Sequence, residues 1–111
     1  MGLRSYAYAL VAPAGASGRE TILTVPDGRA FRLRSVTVAF PVGVEGNLKV
    51  RIMSGPFAVV PTDGYLQGDG VAIKVDADHE YSAGSSVDIE YVNSDTVNEH
   101  TVYIVIEGEM I

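Results

Sequence analysis

A chain of 111 residues with 47% hydrophobic and 20% charged side chains has the size and composition of one globular domain, 1–111, far from the low-hydrophobicity pattern of disorder. The absence of cysteine excludes a disulfide framework, a zinc-thiolate centre and a thiol nucleophile, and leaves the redox compartment open. A net charge of −6, with no aromatic residues interleaved among the arginines in a stacking motif, argues against nucleic acid as a partner.

Apolar residues recur at alternating spacing, in short runs between Gly, Pro, Asn and Asp clusters, and this predicts strands. The first covers 4–11. The start of the chain carries Arg4 and no uninterrupted apolar run before a cleavage motif, so it reads as a strand and not as a signal peptide. Strands follow at 20–25 and 30–40. Within the latter, Phe31 and Leu33 share one parity while Val36, Val38 and Phe40 share the other. A bulge near Arg34 and Ser35 would reconcile them and could carry the strand from one sheet to the other; the alternative is a strand covered on both faces.

In 47–53, Leu48, Val50 and Ile52 alternate with Lys49, Arg51 and Met53, giving a buried face and a cationic one. Strands at 57–60 and 71–75 come next. Asp76, Asp78 and Glu80 then alternate as a solvated, acidic sheet edge, which explains them more simply than a calcium site shared with Asp63 and Asp69. In 86–92, Val87, Ile89 and Tyr91 alternate with Asp88, Glu90 and Val92, the same core logic with the opposite surface charge. The last strand, 101–107, is apolar on both faces: Val102, Ile104 and Ile106 on one, Tyr103 and Val105 on the other. Such a strand is expected to be covered twice, the second time by another subunit or by a loop of its own chain. Turn signals at 26–28, 45–47, 63–64, 68–70 and 83–84 complete an all-β pattern of about eight strands, a two-sheet antiparallel β-sandwich.

Charge is divided along the chain. Residues 1–55 carry seven Lys and Arg against three carboxylates, whereas 56–111 carry Lys74 against eleven. Either basic and acidic strands lie side by side and neutralise each other, or patches of opposite sign meet on neighbouring molecules. The second reading makes Arg32, Arg34, Arg51, Asp88 and Glu90, together with Tyr103 and Val105, the candidate interface.

Catalytic constellations are not evident. His79 and His100 lack the spacing of a metal-binding histidine cluster, no Gly-x-Ser-x-Gly elbow is present, and no glycine-rich phosphate loop precedes a helix. The expectation is a protein that is not an enzyme, with no catalytic residues, metal or cofactor. The six tyrosines could instead line a sugar-binding face. No run approaches the ~20 apolar residues of a membrane span, so no membrane partner is expected.

The stretch from Val59-Val60-Pro61 through Gly64-Tyr65 and Glu80-Tyr81-Ser82-Ala83-Gly84 to Tyr91-Val92-Asn93 and His100 to Gly108 resembles the closing half of small jelly-roll sandwiches. In those, an aromatic-x-Ala-Gly turn leads to a strand ending in Asn and then to a final apolar strand ending in Gly. Domains of this look occur among phage and virus accessory, decoration-type proteins. The resemblance implies a jelly-roll-like fold and a structural role in a virion or similar assembly. Its expected partners are copies of itself, a homo-oligomer such as a trimer, and a capsid or other large assembly. The competing expectation is a carbohydrate- or ligand-binding sandwich.

Overall fold

The computed structural model describes residues 3–111 and contains eight strands: β1 (Leu3–Ala12), β2 (Ser17–Thr24), β3 (Phe31–Phe40), β4 (Leu48–Ser54), β5 (Phe57–Val60), β6 (Val71–Tyr81), β7 (Ser86–Asn93) and β8 (His100–Met110). They form two antiparallel four-stranded sheets, β1-β8-β3-β6 and β2-β7-β4-β5. β1 pairs with β8, β2 with β7, β3 with β6, and β4 with β5. This is the pattern of one long hairpin, turning at Gly55 and Pro56, rolled up so that β3 also meets β8 and β4 meets β7. The topology is that of a jelly roll.

Alternation explains the core. Leu10, Phe31, Leu33, Val36, Val38, Leu48, Val50, Ile52, Val87, Ile89, Val102, Ile104 and Ile106 all fall on inward positions and form one buried cluster. The parity change in β3 is a bulge, with the register shifting between Leu33 and Ser35 against both β6 and β8. It restores Val36, Val38 and Phe40 to the inner face. The strand stays in its sheet, so the expected crossing between sheets does not occur; one extra residue is enough to correct the parity.

Three strands differ from their predicted spans by more than a residue at one end: β2 begins at Ser17, three residues before its predicted start, and the other two are longer. β6 continues from Val75 through the acidic run to Tyr81, because Ala77 and His79 keep the inner parity while Asp76, Asp78 and Glu80 stay wet on an edge strand. β8 runs to Met110 and lies between β1 and β3, not at an edge. Its inner face is buried, but its outer face is not covered a second time: Tyr103 is 53% and Val105 37% exposed. The loop alternative therefore does not hold among the described residues.

Two buried polar side chains tie the layers together. The Tyr81 hydroxyl donates to the Met53 carbonyl at 3.2 Å, bridging β6 and β4 across the core. The Asn93 amide nitrogen donates to the carbonyls of Ala12, Pro13 and Asn98, and its oxygen accepts from the Asp95 amide. Asn93 thus closes one end of the roll.

Candidate interaction surface

The cross-strand register places Ala7, Ala9 and Val11 of β1 beside Val105, Tyr103 and Thr101 of β8, and Thr37 and Ala39 of β3 on their other flank. The result is a largely apolar face on the outer side of the β1-β8-β3-β6 sheet, built of small side chains around Tyr103 and Val105. At a strand spacing of ~4.8 Å and a rise of ~3.4 Å per residue it covers roughly 300 Å². Towards the other end of the same face, charges take over. Arg32 Nε lies 2.7 Å from Asp78 Oδ1, and Arg34 lies 2.7 Å from Glu109 Oε1 and 3.6 Å from Asp78. Hydrogen bonding to Arg32, and its charge, hold the Asp78 carboxyl below the ordinary range.

Arg51, Asp88 and Glu90 sit on the outer side of the opposite sheet. Arg51 pairs with Glu90 at 2.5 Å and lies over the Tyr65 ring, 4.5 Å from its centroid, while the Tyr65 hydroxyl donates to Glu90 at 3.2 Å. Asp88 accepts from Arg19 Nε and Thr21 Oγ1, each at 2.8 Å. Burial pushes the Asp88 carboxyl up, yet the hydrogen bonds from Ser86, Thr21 and Arg19 and the arginine charge together bring it below the usual value. Ser17, Arg19, Tyr65, Glu90 and Val92 border a shallow trough of about 380 Å³ here. The structure thus brings Arg32 and Arg34 to the face of Tyr103 and Val105, and separates Arg51, Asp88 and Glu90 onto the other side.

The five charged candidates each have an ion-pair partner within the chain, so β-strand pairing itself neutralises them. His79 and His100 are not brought together. His79 stands opposite Leu33, which also faces Gly108, while His100 begins β8; eight residues of strand, roughly 27 Å, separate the two levels. Among the described residues no three His, Asp or Glu side chains gather in a metal-binding cluster. Asp69 accepts from the amides of Gly43 and Glu45, and Asp95 from those of Val97 and Asn98, so these loop acids hold turns. The tyrosines form no exposed row: Tyr81 and Tyr91 are buried, Tyr6, Tyr8 and Tyr65 half-buried, and only Tyr103 is exposed. Sequence reasoning missed Ala7, Ala9 and Val11, which read as an ordinary alternating strand until β8 is placed beside them.

No family model and no curated protein matches the chain. Solved structures share its fold. Over 98% of its length it superposes on 29% of a chain of Sulfolobus turreted icosahedral virus, with a TM-score of 0.62 and 10% identity. Over 96% it matches 83% of a chain from the capsid of cyanophage Pam1, with a TM-score of 0.53 and 11% identity. Over 98% it also matches 99% of FLHE, with a TM-score of 0.51 and 10% identity. The chain therefore spans less than a third of the Sulfolobus virus chain. At such identities the likeness is one of fold, shared with a chain of the Sulfolobus virus, a chain of the cyanophage capsid and FLHE.

Proposed function

We propose that this chain is a non-catalytic structural protein that works by surface contact, as a homo-oligomeric building or decoration unit of a virion or similar assembly. The observation that carries the reading is the open apolar face around Tyr103 and Val105. A strand apolar on both sides is costly to leave wet, and an exposed apolar patch rimmed by charged pairs has the anatomy of a protein contact. The fold it shares with a chain of the Sulfolobus virus and a chain of the cyanophage Pam1 capsid supports the same reading. Arg32 and Arg34 stand at the rim, where they would orient a partner more than bind it. The sugar-binding alternative would use the Tyr65 trough, whose Arg19, Tyr65 and Glu90 are already bonded to one another or to neighbours, and it falls behind for that reason.

The test is native mass by size exclusion with light scattering at low and high salt. The expected result is a mass at least twice the 11.8 kDa of one chain, insensitive to salt because the contact is apolar. Replacing Tyr103 by Lys and Val105 by Glu together should lower the mass while the β-sheet circular dichroism is kept. An oligomer unmoved by those substitutions would remove this face from the contact, and a wild-type monomer at every concentration would overturn self-assembly.

A further inference from the structure

Four strands form the edges of the two sheets, and each edge offers unpaired backbone amides and carbonyls to any extended chain that reaches it. Three are blunted. β2 has a register break between Thr21 and Leu23 and carries Arg19 and Glu20. β5 is four residues long, with a break opposite Ile52 and Met53. β6 presents Lys74, Asp76, Asp78 and Glu80 along its outer side, so a second β6 would meet like charges. β1 has none of these devices among the described residues. Its ten residues hold an unbroken register from Leu3 opposite Glu109 to Ala12 opposite His100, without Pro, Lys or bulge, and its single charge, Arg4, lies near one end. Leu3 is 59% and Val11 47% exposed, the inward-facing Tyr6 and Tyr8 are only partly buried, and among the described residues no strand pairs beyond this edge.

We infer that β1 is an interface edge that pairs antiparallel with β1 of a second copy, about a two-fold axis perpendicular to the sheet. The strand is self-complementary. A register centred on Ala7 sets Ala7 against itself, Ser5 against Ala9, Tyr6 against Tyr8 and Leu3 against Val11, with no like charges opposed; the two Arg4 side chains are six residues, about 20 Å, apart. The resulting eight-stranded sheet keeps both outer faces on one side. Because β1 borders the apolar face, pairing joins two patches of roughly 300 Å² into one of about 600 Å². A single patch falls well short of the ~800 Å² per partner of a stable interface, and the joined patch comes closer to it. This inference rests on the proposed self-assembly and names the edge through which it begins.

The cysteine-free chain permits a clean test. Single-cysteine variants Ser5→Cys, Ala7→Cys, Ala9→Cys and Val11→Cys are treated with a short bis-maleimide, alongside Ala72→Cys on the opposite edge, β6. The expected result is a cross-linked species of twice the chain mass, with yield greatest at Ala7, falling at least several-fold towards Val11, and absent at Ala72. Comparable cross-linking at Ala72, in a protein that light scattering shows to be oligomeric, would overturn edge pairing and leave self-assembly standing. A monomeric mass with no cross-link at any position would overturn both.

Discussion

Gly108 shows how a single missing methyl group sets local architecture. It lies within β8 opposite Leu33, just where the β3 bulge begins, and a Cβ there would stand 2.3 Å from the Arg32 carbonyl oxygen and 2.6 Å from Phe31 Cζ. Backbone cannot yield as a flexible side chain can. Gly108→Ala should therefore cost about 1–3 kcal/mol, the usual range for overpacking, seen as a lower urea midpoint. A midpoint equal to wild type would show that the Arg32 backbone and Phe31 both shift at little cost. The sequence displays Gly108 only as the end of an apolar run, because its reason lies some 75 residues away in Phe31 and Arg32. Asn93 is similar. It is visible as a strand-ending Asn, but its bonds to Ala12 and Pro13 across the roll are legible only once β1 and β7 are neighbours.

At the scale of strands, the legible features are those written in parity. The β3 bulge follows from Phe31 and Leu33 falling out of step with Val36 and Val38, and the outer acidic run of β6 follows from its alternation. The length of β6 was hidden, because Ala77 and His79 are weak markers of an inner face and Asp and Glu are poor strand formers. Strand pairing also ranks the ion pairs. Asp88 is 12% exposed and accepts from Thr21 and Arg19, so Asp88→Ala removes the hydrogen bonds of a largely buried carboxylate and leaves two exposed donors to water, at a cost of about 1–2 kcal/mol. Asp78, at 59% exposure, bridges Arg32 and Arg34 in water. Asp78→Ala should lower the urea midpoint clearly less than Asp88→Ala does, although it removes as many contacts. Equal losses in a urea titration would show that burial does not set the order.

For the whole molecule, the division of charge along the chain and the rolled hairpin are one fact. The hairpin turns at Gly55 and Pro56, where the basic half meets the acidic half, so every primary strand pair joins one arm of each sign. Arg19 meets Asp88, Arg32 meets Asp78, Arg34 meets Glu109 and Arg51 meets Glu90. The sequence shows the division but not its purpose, since charge complementarity within a fold and between molecules look alike before the register is known. Stability inherits a pH dependence from this arrangement. Asp88 is held low despite its burial by Ser86, Thr21 and Arg19, and Asp78 is held low by Arg32. Asp69 is held low by the amides of Glu45 and Gly43, and Asp95 by the Val97 amide, His100 and Asn98. Each has a folded pKa below its unfolded value of ~3.9, so its contribution is present above about pH 4 and is lost as pH falls through the folded value. Burial raises Tyr81, and the hydrogen bond to Glu20 raises Tyr8, so the opposite sign applies: stability is present below about pH 10 and lost above it. The urea midpoint should therefore be flat in carboxylate and tyrosine terms between those limits and fall on both sides. Asp88→Asn should make the acid limb shallower and Tyr81→Phe the alkaline limb. A Tyr81→Phe protein that loses stability above pH 10 as steeply as wild type would mean that the alkaline limb arises elsewhere than in the buried hydroxyl bonded to Met53.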